Sequence, residues 1–280
     1  MSVEGLSSIP VDELALLAVG VSASGLLAGT VAGMLGVGGG IVLVPVLFQA
    51  FSFLGVDESV RMPLAIGTSL ATIIPTSIRS TLSHHSRGAV DWSILKSWAL
   101  PTVLGVIIGS WIAAIIGAKG LTAIFALGAG LLGLFMLVGR EEWRIGADVP
   151  TGAGAWPLGL INGGLSVLMG IGGGTFGVTI MTLFGATIHR AVATAAGFGA
   201  IIAVPGTIGM IYNGWSASGL PPFSLGFINV VGLALIIPAT LLSTPWGVAI
   251  SHRLSRQALR RTFGIFLCLT ALRMGWAWLT

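Results

Sequence analysis

Charged side chains punctuate this chain at wide intervals and leave long apolar runs between them. Residues 14–53, 62–78, 97–118, 121–139, 191–251 and 262–272 contain no Asp, Glu, Lys or Arg. A run of about 20 apolar residues is long enough to cross a bilayer as a helix. These runs are continuous rather than alternating in hydrophobicity, which separates them from the strands of a membrane barrel. Small and hydroxyl residues recur within them at helical spacing, as in Gly25, Gly29, Gly33 and in Thr68, Thr72, Thr76. The pattern predicts an all-α polytopic membrane protein with about ten membrane segments, six of them full spans.

Two of the runs are broken by nearly the same five residues. GVGGG occupies 36–40 and GIGGG occupies 170–174. The apolar arms around the second cluster, 155–169 and 175–188, reach only about 21 Å each at 1.5 Å per residue, short of the roughly 30 Å hydrocarbon core. The first cluster has a longer leading arm, 14–35, and a comparable trailing arm, 41–54. Each cluster therefore reads as the tip of a re-entrant or broken helix hairpin. Non-helical backbone at that depth is tolerated only inside protein or around a wet cavity. Glycine permits positive φ and close approach of a ligand to the backbone. A helix starting just after each cluster points its free N–H groups and positive dipole end at the tip, a setting for an anion.

Setting Gly36 against Gly170 also aligns the residues beyond the two clusters. Ala65-Ile66-Gly67 matches Ala195-Ala196-Gly197, Pro75 faces Pro205, and Pro101 and Gly109 have counterparts in Pro238 and Gly247. Loop charge relates the two copies. The segment with Arg79, Arg87 and Lys96 is basic, whereas its counterpart 213–222 is uncharged. The turn at Lys119 has one cation, whereas its counterpart 252–261 has Arg253, Arg256, Arg260 and Arg261. Basic loops face the cytoplasm, so equivalent loops lie on opposite sides and the repeats have inverted topology, as in many transporters. The division is 1–139 for the first repeat, 140–154 for a cytoplasmic linker, and 155–280 for the second repeat.

Composition narrows the chemistry. The chain is 55% hydrophobic and 8% charged, with mean hydropathy +1.00. Its formal charge of +4 comes from 11 Arg and 2 Lys lying mostly between spans, which fits membrane topology rather than nucleic-acid binding. All nine carboxylates lie in loops or near the N-terminus, which disfavours a carboxylate proton relay. Cys268 is the sole cysteine, and His84 and His85 have no acidic cluster beside them, so neither a metal nor another cofactor is expected. Ala23-Ser24-Gly25 resembles part of an intramembrane serine-protease motif, but no histidine lies mid-span to act as base, so an enzyme is not expected. The candidate anion-binding residues are Gly36, Gly38, Gly39, Gly40 and Ile41 in the first copy. In the second they are Gly170, Gly172, Gly173, Gly174 and Thr175. Thr68 and Ser69 add a hydroxyl stripe that either lines a path or bonds within its own helix. Asn162 and Ser166 precede the second tip as polar lining. Phe198 and Gly199 fall where Thr68 and Ser69 would repeat, so the site is asymmetric. Pro75 and Pro205 are expected to kink or unwind their spans, and Trp92, Trp98, Trp143, Trp246 and Trp276 to anchor at the interface.

The two GxGGG hairpins, Val44-Pro45, the run Gly67-Thr68-Ser69-Leu70 and the closing Arg253…Arg260-Arg261…Phe263 segment resemble the TauE/SafE sulfite exporter family over roughly residues 14–279. The resemblance implies a multi-pass permease of the inner (plasma) membrane that exports a small anion such as sulfite or an organosulfonate. The partners then are that anion and the lipid bilayer, with a homo-oligomer left open. An anion channel and a non-transporting membrane subunit of another complex are the rival readings.

Overall fold

In a computed structural model of the chain, residues 11–35, 39–139, 144–251, 253 and 255–279 are described. They form nine α-helices: α1 (Val11–Leu35), α2 (Gly40–Phe53), α3 (Glu58–His85), α4 (Trp92–Val138), α5 (Ala155–Leu168), α6 (Gly174–Leu183), α7 (Ile188–Gly214), α8 (Val230–Ser251) and α9 (Arg256–Leu279). Asp57 caps α3 by accepting from the Ser59 amide, and Asp91 caps α4 by accepting from Ser93 and Ile94. These caps occupy donors that an uncapped helix start leaves unmet.

Four helices are long and apolar enough to cross a membrane: α4, α7, α8 and α9. The protein is thus an integral multi-pass membrane protein by helix length and composition. The 62–78 run belongs to α3, whose serines and threonines keep it out of that apolar set, yet Met62 to Ile73 is wholly buried. Two of its hydroxyls bond within the helix: Thr72 and Thr76 donate to the carbonyls of Thr68 and Thr72 at 2.9 Å, and Thr76 also donates to the Thr240 hydroxyl of α8 at 3.1 Å. Thr72 and Thr76 thus take the in-helix alternative, whereas Thr68 and Ser69 bond outside α3.

The 47-residue α4 is two arms. Gly117 breaks it at φ 64°, ψ −171°, a conformation glycine adopts without a Cβ penalty. Gly109 lies against Val167 and Gly128 against Met169, two residues apart, so the second arm folds back beside the first. By contrast α3 and α7 run through Pro75 and Pro205 without interruption, and neither span unwinds there.

Small residues set the helix pairing, as expected where backbones pack closely in lipid. Gly25, Gly29 and Gly33 of α1 meet Ala239, Thr240 and Thr244 of α8. Gly159 and Gly163 of α5 meet Pro101 and Thr102 of α4. In the middle, α3 and α7 cross antiparallel, with Gly67 near Met210, Gly206 near Leu70 and Gly199 near Ser77. The second arm of α4 pairs with α9 through Gly133 against Cys268 and Gly264 against Leu137.

The two ends of the bundle differ. At one end Arg190 pairs with Asp91, Arg87 donates to the Val248 carbonyl, and Ile145 donates to Leu183. Trp98 lies there too, fully buried, donating to the Pro150 carbonyl and packed on Phe198 with ring centroids 5.8 Å apart. It is a core residue rather than an interface anchor, while Trp92, Trp246 and Trp276 are exposed. Trp143 lies outside the described residues. At the other end a cavity of about 320 Å³ opens between Ser59, Gly117, Met210, Asn213, Ser218 and Phe227.

The Asp91–Arg190 pair joins the starts of α4 and α7, and its charge has a pH signature. Burial opposes ionisation of Asp91, but the Arg190 guanidinium and the amides of Ile94 and Ser93 outweigh it and hold the carboxyl below its ordinary value. A lowered folded-state value means the contribution is complete above the unfolded value of about 3.9 and is lost as pH falls through the folded one. Because Arg190 is 56% exposed, screening limits the pair to about 0–1 kcal/mol. Asp91→Asn keeps a helix cap and removes the charge. It is expected to lower thermal stability slightly at pH 7, with the difference from the parent shrinking as the pH falls below the ordinary carboxylate range, as read from melting curves of purified protein at descending pH.

Candidate functional site

The second glycine cluster lies where α5 ends and α6 begins. Gly170 has φ 64° and Gly173 φ 69°, ψ −6°; Gly173 caps α6 with no side-chain hydrogen bond. In the first cluster Gly39 has φ 76°, ψ −7° and caps α2 in the same way. Gly36 and Gly38 lie outside the described residues. Both caps occupy the left-handed region, open to glycine at little cost. The N–H groups of Gly40 and Ile41, and of Gly174 and Thr175, have no intrahelical acceptor, and each helix start presents a positive dipole end.

The start of α2 lies against the loop that leads from α5 into α6. A Cβ built on Gly40 would stand 2.3 Å from the Gly170 carbonyl oxygen and 3.0 Å from the Ile171 Cα. Gly170 in turn lies against Ile66 of α3 and Val44 of α2. Gly39, Gly40, Ile41, Gly170, Gly172, Gly173, Gly174 and Thr175 are all buried. The contact joins segments about 130 residues apart in the chain, deep inside the bundle.

Thr68 and Ser69, both fully buried, tie the tips to their surroundings. The Ser69 hydroxyl donates to the Gly170 carbonyl at 2.8 Å, and the Thr68 hydroxyl accepts from the Asn229 N–H at 2.9 Å. Asn229 also accepts from Gly232 in the first turn of α8. Ser69 thus touches the second tip directly, whereas Thr68 holds the entry to α8. Ser77, two turns farther along α3, stands at Gly199 near the Gly172 carbonyl.

The sequence pattern marks Asn162 and Ser166 as lining and does not place them among the candidate ligands. Both are fully buried, as is Thr175. Asn162 Nδ2 and Oδ1, Ser166 Oγ and Thr175 Oγ1 have no hydrogen-bond partner among the described residues. The sequence signal is present: two polar residues four apart in an otherwise apolar helix share one face. Arg273 has no such signal; it donates to Gln49 and links α9 to α2. Among the described residues no group of three His, Cys, Asp or Glu could hold a metal ion. The Ser24 hydroxyl donates to the Gly20 carbonyl of its own helix at 2.7 Å.

A family model described as "Sulfite exporter TauE/SafE" matches residues 21–274. The chain belongs to the TauE/SafE family. A Haemophilus influenzae protein named "Probable membrane transporter protein" is 31% identical over 255 residues, covering 89% of this chain and 95% of that one. Proteins described in the same words from Methanocaldococcus jannaschii (25% over 246 residues, 84% and 87% covered) and Bacillus subtilis (25% over 268 residues, 88% and 92% covered) are similar across nearly the whole length. No solved structure matches. Family and relatives together support a membrane transporter of the TauE/SafE type.

Proposed function

We propose that this TauE/SafE protein is a secondary transporter that moves a small anion, sulfite or an organosulfonate, outward across the cell's inner membrane. It works without enzymatic chemistry or a cofactor, by alternating access of two inverted halves, 1–139 and 155–280, joined at 140–154. The observation that carries the reading is the approach of the glycine-capped start of α2, at Gly40, to Gly170 and Ile171 in the loop that leads into the glycine-capped start of α6. Paired helix N-termini offer N–H donors and positive potential to an anion without burying a cation.

Equivalent contacts at equivalent positions support the repeat. With Gly36 on Gly170, Gly29 corresponds to Gly163; the first lies on Thr240 of α8 and the second on Thr102 of α4. Gly247 meets Thr30 and Met34, while its counterpart Gly109 meets Gly164 and Val167. Each hairpin is thus gripped by a helix of the opposite half. The hairpin α5–α6 returns to the end holding Ile145, and α2 runs into Asp57 at the end holding the cavity. Hairpins entering from opposite ends are what an inverted pair requires.

Purified protein in liposomes, assayed with ³⁵S-sulfite, sulfate and methanesulfonate, tests the function. Saturable flux of at least one probe is expected. Single-channel current would establish the channel reading instead, and stoichiometric co-purification with a partner, with no flux, would establish the non-transporting one.

A further inference from the structure

The hairpins differ in chemistry at the positions that touch their tips. With Gly36 on Gly170, Asn162, Ser166 and Thr175 correspond to Ala28, Ala32 and Ile41. The correspondence is spatial too. A Cβ on Gly39 would meet Ala28, its carbonyl oxygen at 2.7 Å and its Cβ at 3.3 Å. A Cβ on Gly173 would meet the Asn162 carboxamide, Nδ2 at 3.4 Å and Oδ1 at 3.5 Å. The same place beside the same left-handed cap holds a methyl in one hairpin and an amide in the other.

That amide is fully buried and unpartnered at both of its polar atoms. Leaving such donors and acceptors unmet is costly, and native interiors rarely tolerate it without an ordered water or a ligand in place. Asn162 also flanks Gly177, at 3.6 and 3.7 Å from a Cβ there, so it lies along the first turn of α6. Ser166 is one turn beyond Asn162 on the same face of α5, and Thr175 belongs to the α6 turn itself. Both hydroxyls are fully buried and unpartnered among the described residues. Together with the uncapped N–H groups of α6, these groups supply neutral hydrogen-bonding atoms around the start of that helix.

We infer that Asn162, Ser166 and Thr175 form the polar cradle for one small oxyanion at the start of α6, and that Ala28, Ala32 and Ile41 make the first hairpin its dry counterpart. Each chain then binds one anion, not two, and recognition belongs to the second hairpin. The purpose of the cradle rests on the transporter reading, but its occupancy is an equilibrium property that can be measured without transport.

The experiment is calorimetric titration of the detergent-purified full chain with sulfite, sulfate and methanesulfonate, alongside liposome flux. Asn162→Leu and Thr175→Val remove hydrogen-bonding groups with little change in volume. Each is expected to weaken binding by about tenfold or more, whereas Thr175→Ser, which keeps the hydroxyl, and Thr72→Val, which removes one already bonded within α3, stay within about threefold. The expected stoichiometry is one anion per chain. Unchanged affinity in Asn162→Leu and Thr175→Val overturns the cradle even where the parent transports normally, and so does a stoichiometry of two. Binding without flux upholds the cradle and removes the transporter reading; a parent that neither binds nor moves any of the three probes overturns both. Melting temperatures screen each variant, and if Asn162→Leu does not fold, the Thr175→Val and Thr175→Ser pair decides.

Discussion

Gly173→Leu is expected to end anion flux while the protein still accumulates in the membrane. Gly173 caps α6 at φ 69°, and a side chain in the left-handed region costs roughly 1–2 kcal/mol. The nearest obstacle to its Cβ is the Ile202 Cδ1 at 2.2 Å, the far end of a flexible side chain that can turn away. Against a typical stability of about 5–15 kcal/mol, the fold survives this strain. The remainder of the leucine has Asn162 as its neighbour and fills the space beside the α6 N-terminus. Initial rates in liposomes, normalised to reconstituted protein, check this. Parental rates would remove the second tip from the transport path.

Gly247→Val is expected to do the reverse, removing the protein rather than its activity. A Cβ on Gly247 would stand 1.9 Å from the Thr30 carbonyl oxygen and 2.9 Å from the Met34 backbone nitrogen. Both are main-chain atoms of α1, so no side chain can yield and the helices must separate. Overpacking ordinarily costs about 1–3 kcal/mol. Here it also strips contact from the whole α1–α8 seam, because membrane helices associate largely by close packing. The expected result is loss of folded protein from the membrane fraction, or a fall in melting temperature far beyond that of Gly20→Ala. Gly20 lies on α1, the other helix of that seam, with nothing within 4 Å, and alanine there favours the helix by about 1 kcal/mol. Comparable melting of the two variants would show that the seam does not hold the bundle.

Breaks in this fold were readable wherever glycine causes them. The arms expected at 155–169 and 175–188 are α5 and α6, the latter stopping at Leu183 because Phe184 and Gly185 turn the chain before α7. The return between spans near Lys119 falls at Gly117. Pro75 and Pro205 do not unwind their helices, because neighbouring helices can hold a span through a missing N–H. Trp98 misled because its indole finds the Pro150 carbonyl 52 residues away, a pairing that local pattern cannot reveal. Thr68 and Ser69 share that limit: as hydroxyls on a helix they left path lining and helix bonding equally open, and their partners, Asn229 and Gly170, are tertiary. Asn162 shows the converse, since its weight comes from hydrogen bonds it lacks, which only the packed structure discloses.

The cavity at Ser59, Asn213 and Ser218 has an energetic consequence. At roughly 30 Å³ per water molecule it can hold about ten, so an oxyanion residing there keeps its hydration shell. Met210 and Phe227 line this cavity and also pack against Gly67, two residues from the serine that contacts Gly170. In the transport cycle proposed above, water is then stripped from the anion between that floor and the glycine tips. Discrimination among anions of equal charge should then track their dehydration free energies rather than their size in solution.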